Sequence, residues 1–185
     1  AAWEWARLNG VHGAGALATG GVCATACAAL WWAGAVDRAS AGLWLGCALA
    51  WLLLAPWLLR RGVAGWPAVP RAVRWLGGLL VLCVAWLAMA QARRVGINFL
   101  LSVLVLVWAA DVFAYFAGRA LGGRLTDGRK LAPTISPGKS WEGVWGGMAG
   151  VLLVGAAWLW ADRAWPNGSP SLYTRLAEAG WGWFV

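Results

Sequence analysis

The chain has 185 residues, of which 62% are hydrophobic and 12% are charged, and its mean hydropathy is +0.66. These values exclude an ordinary soluble domain and indicate a membrane protein. The net charge of +8 would suit a nucleic-acid-binding protein, but the cations lie between apolar runs instead of gathering with aromatic residues on one soluble face, so no nucleic-acid partner is expected.

The apolar runs are long and continuous, which predicts helices, because the strands of a membrane β-barrel would alternate over segments of about ten residues. Five charge-poor stretches approach the roughly 20 residues that cross a bilayer. In chain order these stretches are residues 14–36, 39–59, 75–92, 95–118 and 143–161. The predicted fold class is therefore all-α, a polytopic helical transmembrane protein forming a single transmembrane domain, with partial spans at both ends.

Two local features qualify this prediction. Pro56 lies near the end of the second stretch and is expected to kink or close that helix. Neither end has the features of a natural terminus, because the chain lacks an initiator Met and a signal-peptide pattern, and residues 181–185 resemble the start of a further span. We therefore expect the chain to be a fragment.

The distribution of cations predicts the orientation of the spans. One set of alternate loops holds 10 Lys and Arg residues, namely Arg7, Arg60, Arg61, Arg71, Arg74, Arg119, Arg124, Arg129, Lys130 and Lys139. The other set holds 5, namely Arg38, Arg93, Arg94, Arg163 and Arg175. The positive-inside rule then places loops 60–74 and 119–142 in the cytoplasm, with loop 162–180 on the outer side of the inner membrane.

The four cysteines, Cys23, Cys27, Cys47 and Cys83, all lie inside apolar runs and have no histidine near them in the sequence. This pattern favours small buried side chains over a metal site or a disulfide.

Asp111 is the only carboxylate in the fourth stretch. A carboxylate at the centre of a membrane helix costs about 2.5 to 3.5 kcal/mol, so Asp111 is expected to face a protein-lined or hydrated cavity. The residues that helical spacing places on about the same face are Trp108, Tyr115, Gly118 and Arg119. The alternative is a structural ion pair with Arg119 or a carboxylate that extends toward the interface.

Loop 119–142 reads RALGGRLTDGRKLAPTISPGKSWE and carries five cations but only two carboxylates. Residues 136–140 lead directly into the next helix, and a glycine turn, hydroxyl groups and a lysine before a helix N-terminus suit a phosphate group. The G-x-x-x-x-G-K-[ST] spacing and the preceding strand of a P-loop are absent. The alternative is a loop that serves only membrane orientation, with Ser136 or Ser140 as a helix N-cap.

Two motifs in this region have a recognisable pattern. They comprise Trp108, Asp111, Ala114, Tyr115, Gly118 and Arg119, then Lys130, Leu131, Ala132, Pro133, Ser136, Pro137, Gly138, Lys139, Glu142, Gly143, Gly146 and Gly147. The segment from Trp108 to Gly147 resembles the W-x-x-D-x-x-A-Y-x-x-G-R and K-L-A-P-x-I-S-P-G-K-[ST]-W-E-G-x-x-G-G stretches of bacterial phosphatidate cytidylyltransferases. Two features differ from the family pattern: residues 122–129 form a longer loop, and the family's downstream signature with its H-G-G-x-x-D-R-x-D ending is absent from these 185 residues.

The resemblance implies an enzyme of phospholipid biosynthesis that transfers a cytidylyl group from CTP to phosphatidate and uses Mg²⁺. It implies a catalytic role for Asp111 and Lys139, with Asp111 as a metal ligand. The substrate-binding residues that it implies are Arg119, Tyr115, Lys130, Ser136, Lys139 and Ser140. It further implies a homodimer in the inner membrane with the active site facing the cytoplasm. This chain alone is expected to be inactive, because one carboxylate does not complete a divalent-metal site.

Two alternatives remain from the sequence. Another CTP-dependent membrane enzyme, such as a polyprenol or phytol kinase, would share the nucleotide site. A transporter or a membrane scaffold belongs to a different class, but a transporter is expected to have paired broken helices and polar residues at the membrane midplane. Here Asp111 is alone, and the other polar residues lie toward one surface.

Overall fold

The computed structural model describes residues 1–126, 128, 130–133, 136–165 and 168–180. Its helices are α1 (Ala2–Leu8), α2 (Gly13–Trp32), α3 (Ala35–Arg38), α4 (Ala41–Gly65), α5 (Arg71–Val95), α6 (Ile97–Leu121), α7 (Trp141–Ala164) and α8 (Leu172–Ala179), with a 3-10 helix at Trp66–Ala68. Two short strands, β1 (Lys130–Ala132) and β2 (Ser136–Ser140), form an antiparallel hairpin between α6 and α7. The predicted all-α class is confirmed, and the hairpin is an addition to it.

Five of these helices, α2, α4, α5, α6 and α7, are long and apolar enough to cross a membrane. They correspond one to one with the five predicted spans, so the chain is a polytopic membrane protein. Many of their large apolar side chains are exposed; Leu152, for example, has 72% of its surface exposed. Such exposure is expected where lipid covers the helix. The partial span predicted from residue 181 lies outside the described residues, as does Arg129 of the predicted cytoplasmic set.

The second span, α4, does not end at Pro56, which lies inside the helix. The backbone leaves helical geometry at Gly62, where φ is 60° and ψ is −169°. Only glycine adopts this conformation readily, because it has no Cβ atom. The break therefore lies six residues beyond the position that the sequence predicted.

The chain divides into two compact units, Ala1–Gln91 and Ala92–Val185. The prediction of a single transmembrane domain stays a prediction. In the first unit, the indole Nε1 of Trp5 on α1 donates hydrogen bonds of 3.2 Å to the carbonyl oxygens of Arg74 and Trp75 on α5. At the other end of α5, Gln91 accepts a hydrogen bond of 2.6 Å from Trp44 of α4. Side-chain hydrogen bonds thus join α5 to α1 and to α4.

The second unit is built on the close packing of α6 against α7. A Cβ atom added at Gly147 would lie 2.9 Å from the carbonyl oxygen of Ala110, and one added at Gly143 would lie 3.0 Å from that of Ala114. Cβ atoms added at Gly146 and Gly150 would likewise clash, in these cases with side chains of α6. The small residues of α7 therefore let the two backbones approach, as expected for helices packed in a membrane.

A polar cluster joins α8 to the ends of α6 and α7 farthest from the hairpin. The carboxylate of Asp162 accepts hydrogen bonds from Asn98 Nδ2 at 2.9 Å, Ser171 N at 3.1 Å and Thr174 Oγ1 at 2.6 Å. Trp158 Nε1 donates to Asn98 Oδ1 at 3.0 Å. The predicted outward loop 162–180 therefore contains an ordered helix that is hydrogen-bonded to both spans.

Candidate functional site

The candidate site lies where α6 ends and α7 begins. The β1–β2 hairpin connects the two helices, and β2 contacts both of them. Lys130 and Ser140 are paired across the hairpin, which places Lys130 opposite the last residue of β2. The ammonium-bearing residues Lys130 and Lys139 are both exposed. The hairpin thus places the two lysines, which are nine positions apart in the sequence, on neighbouring strands.

Ser140 is the N-cap of α7. Its hydroxyl oxygen accepts a hydrogen bond of 3.2 Å from the backbone N–H of Gly143, and the residue is 4% exposed. The same oxygen would lie 3.4 Å from a Cβ atom added at Gly118 of α6. Ser140 is thus the N-cap of α7, as the alternative interpretation predicted, and it lies against α6. Its role in binding substrate stays a prediction.

Glu142, in the first turn of α7, holds the turn that follows α6. Its Oε1 atom accepts hydrogen bonds from the backbone N–H groups of Gly123 at 3.0 Å, Leu125 at 3.2 Å and Thr126 at 3.1 Å, and from Thr126 Oγ1 at 2.8 Å. The side chain is buried, with 3% of the residue exposed. Four donors to one anionic oxygen stabilise this turn, because hydrogen bonds to a charged acceptor are stronger than neutral ones.

Sequence reasoning did not assign a site role to Glu142. The available signal was that it is one of only two carboxylates in a loop with five cations. An acidic residue in the first turn of a helix usually indicates an interaction with the helix dipole. The pairing of Glu142 with residues 16 to 19 positions earlier depends on how α6 and α7 pack, which no local pattern encodes.

Asp111 lies on α6, two turns before Gly118 and on the same face. At ~1.5 Å per residue, the two positions are about 10 Å apart along the helix axis. The carboxylate is exposed and forms no hydrogen bond or ion pair within the described part of the chain. The alternative of a structural ion pair with Arg119 is therefore wrong.

Arg119 has a different partner. Its Nη1 atom donates a hydrogen bond of 3.0 Å to the hydroxyl oxygen of Tyr115, one turn earlier on α6. Both side chains are exposed. Arg119 remains available for an anion, because a neutral hydroxyl acceptor does not neutralise the guanidinium charge. Ser136, the remaining predicted residue, is half-buried at the start of β2.

The electrostatics of the site favour an anionic ligand. Arg119, Lys130 and Lys139 form no ion pair within the described residues. Two described carboxylates belong to this region: Asp111, which lies two turns before Gly118 on α6, and Glu142, whose Oε1 is occupied by the turn. Three uncompensated cations beside a helix N-terminus are suited to bind phosphate groups.

The donor chemistry is also compatible with a divalent cation such as Mg²⁺, which prefers oxygen ligands. Asp111 offers an exposed carboxylate without a partner, and Glu142 Oε2 is buried without a hydrogen-bond partner in the described residues. Asp111 belongs to no cluster of three metal-ligating side chains among the described residues. It therefore fits as one ligand of a cation whose other ligands come from elsewhere, including the substrate phosphates.

The comparisons with known proteins agree on one family. The model of the cytidylyltransferase family matches residues 1–173. A phosphatidate cytidylyltransferase of Pseudomonas aeruginosa is 41% identical over 157 residues, which cover 80% of this chain and 53% of that protein. The phosphatidate cytidylyltransferase of Haemophilus influenzae is 58% identical over 59 residues, or 32% of this chain and 19% of that protein. No solved structure matches the chain.

A third relative, the phosphatidate cytidylyltransferase of Brucella melitensis, is 37% identical over 113 residues, which cover 60% of this chain and 35% of that protein. The chain thus spans about half the length, or less, of the curated relatives that it matches.

Proposed function

The chain belongs to the cytidylyltransferase family, and we propose that it is part of an enzyme that transfers a cytidylyl group from CTP to phosphatidate, giving CDP-diacylglycerol and pyrophosphate. The proposal rests on one observation: at the junction of α6 and α7, the cations Arg119, Lys130 and Lys139 form no ion pair within the described residues. Both substrates are polyanions. The relatives that carry the name phosphatidate cytidylyltransferase support the same reaction.

In this reaction, a phosphate oxygen of phosphatidate attacks the α-phosphorus of CTP, and the bond to pyrophosphate breaks. Such a transfer depends mainly on alignment and on neutralising the charge of the phosphate oxygens. Lys139 and Lys130 would bind these oxygens as point charges, and Arg119 would bind them through its planar fork of N–H donors. Ser136 would add a hydroxyl donor, and Ser140 would maintain the N-terminus of α7 beside the phosphates.

Lys130 and Lys139 lie on the hairpin, whereas Arg119 and the carboxylate of Asp111 lie on α6. Asp111 would supply an oxygen ligand to Mg²⁺, and Tyr115 would orient Arg119 through the hydrogen bond between them. A bound divalent cation would neutralise phosphate oxygens and align the leaving pyrophosphate. Glu142 would act through the turn at residues 123–126, which it holds next to the hairpin.

The location of the substrates supports a site at the cytoplasmic surface of the inner membrane. CTP is a cytosolic nucleotide, and phosphatidate is a membrane lipid whose headgroup lies at the interface. The bias of 10 to 5 cations toward the loops that include the hairpin supports this orientation. The homodimer implied by the family resemblance is part of the proposal, and cross-linking in native membranes tests it.

The position of the radiolabel in the product tests the proposed reaction. Membranes containing the natural-length protein are supplied with phosphatidate, Mg²⁺ and CTP labelled at either the α- or the γ-phosphorus. We expect the lipid fraction to gain label from α-labelled CTP only. A lipid kinase would transfer label from γ-labelled CTP only, and that result would overturn the proposal.

A further inference from the structure

The first unit contains a cluster of three thiols that plays no part in the proposed reaction. Cys23 and Cys27 are four residues apart on α2, which places both side chains on one face of the helix. Cys83 extends from α5, and the three Sγ atoms all lie within 4.8 Å of one another. Cys47, on α4, is not part of the cluster.

A second side-chain contact joins the same two helices next to the cluster. Trp31, one turn after Cys27, makes an edge-to-face contact with Trp86, one turn after Cys83, with ring centroids 6.4 Å apart. Two successive turns of α2 therefore contact α5, first through sulfur atoms and then through indole rings. The three sulfur atoms therefore lie where side chains of α2 and α5 meet.

The spacing of the sulfur atoms suits a metal ion. With metal–sulfur bonds of about 2.3 Å, the sulfur atoms of a trigonal site lie about 4 Å apart, so a contraction of less than about 1 Å from the observed 4.8 Å limit would close the triangle. The group contains no fourth His, Cys, Asp or Glu ligand within the described part of the chain. A closed structural zinc site is normally four-coordinate, whereas three soft ligands satisfy Cu(I).

The half-buried thiols lie on membrane-spanning helices and have a route of access for an ion. Cysteines bind a metal as thiolates, so each of the three releases its proton to solvent when the ion binds. An open groove lined by Cys23, Cys27, Trp3, Trp31 and Trp86 gives the ion a path to the cluster.

We propose that Cys23, Cys27 and Cys83 form a binding site for a soft monovalent metal ion, Cu(I), between α2 and α5. The site is independent of cytidylyl transfer, because none of its residues belongs to the hairpin or to the face of α6 that carries Asp111. Sequence reasoning favoured inert buried cysteines, because it could not place Cys83 beside the other two.

The test uses the 185-residue chain purified in detergent without oxygen and reduced by a phosphine, which is removed before copper is added because phosphines bind Cu(I). Cu(I) is supplied as its coloured complex with bicinchoninate, and loss of the colour reports transfer to the protein. We expect one copper ion per chain, with sulfur as the only ligand in the copper X-ray absorption spectrum. Cys23→Ser, Cys27→Ser and Cys83→Ser should each lower the affinity by at least an order of magnitude, and Cys47→Ser should not change it.

A labelling experiment on the unsubstituted chain avoids any folding defect of these variants. Bound Cu(I) should protect Cys23, Cys27 and Cys83 from alkylation by a maleimide and leave Cys47 reactive, as read by mass spectrometry of peptides. Equal reactivity of all four cysteines, failure of the chain to take copper from bicinchoninate, or an equal loss of affinity in Cys47→Ser would overturn the proposal. A disulfide within the cluster in the freshly purified, unreduced chain would also overturn it, since the site would then be a covalent cross-link.

Discussion

Glu142 Oε1 accepts a hydrogen bond of 3.0 Å from the backbone N–H of Gly123, so the first turn of α7 anchors the turn that follows α6. We expect Glu142→Gln to loosen this turn, because a neutral amide oxygen is a weaker acceptor and the new NH₂ group would be buried without a partner. Hydrogen exchange should accelerate at the amides of Gly123, Leu125 and Thr126. Glu178→Gln, at an exposed carboxylate on α8, is the matched control and should leave these amides unchanged.

The proposed metal ligand is tested by Asp111→Asn in the natural-length protein. The substitution keeps the shape and removes the charge, so the activity should fall by orders of magnitude at every Mg²⁺ concentration. The protein should still insert and fold, because a neutral amide is less costly in a membrane than a carboxylate. Activity near the unsubstituted level would refute the metal role, and Glu178→Gln should retain full activity in the same assay.

Lys139 is expected to act differently, through the charge of the substrate phosphates. Lys139→Ala should lower kcat/KM for CTP, and Lys139→Arg should recover part of the loss, because the charge remains although the donor geometry changes. Arg163→Ala removes an exposed cation at the other end of α7 and should leave the CTP kinetics unchanged. If Lys139→Ala behaves like that control, the hairpin serves only membrane orientation.

The contact of α7 with α6 predicts a difference between two glycines. Gly147→Ala would place a methyl group 2.9 Å from the carbonyl oxygen of Ala110, and a backbone atom cannot move aside easily. We expect a loss of about 1 to 3 kcal/mol in stability, as for other overpacked sites. Gly21→Ala on α2 meets no atom within 4 Å and should be neutral or slightly stabilising, because alanine favours a helix. Unfolding in detergent, followed by circular dichroism, distinguishes the two variants, and an equal midpoint for both would contradict the packing.

The orientation is tested with single cysteines in a chain whose native cysteines have been replaced. An impermeant thiol reagent should label Arg124→Cys only from the cytoplasmic side and Gly168→Cys only from the periplasmic side. Both positions are exposed, so the reagent can reach them. The cysteine-free parent chain serves as the control for background labelling. The reverse pattern would invert the topology and separate the hairpin from cytosolic CTP.

The sequence by itself determined the fold class and the number of spans. A run of about 20 apolar residues can cross a bilayer only as a helix, because every backbone N–H and C=O group must be paired within the segment. The glycines of α7 were also predictable as packing residues, since small side chains at this spacing let helices approach. The residues of the candidate site were identified by their charge, their hydroxyl groups and the spacing of the motifs, which are all local properties of the sequence.

Only the tertiary structure decided which of these residues meet. Pairing of the strands placed Lys130 opposite Ser140, and packing of α6 on α7 brought Glu142 to Gly123. The break in α4 fell at Gly62 instead of Pro56, because a membrane helix can accommodate an internal proline, whereas the backbone conformation at Gly62 favours glycine. Cys83 joined Cys23 and Cys27 through contacts between α2 and α5. The contacts of Glu142 with Gly123 and of Cys83 with Cys23 and Cys27 join residues far apart in the chain, and no local pattern encodes them.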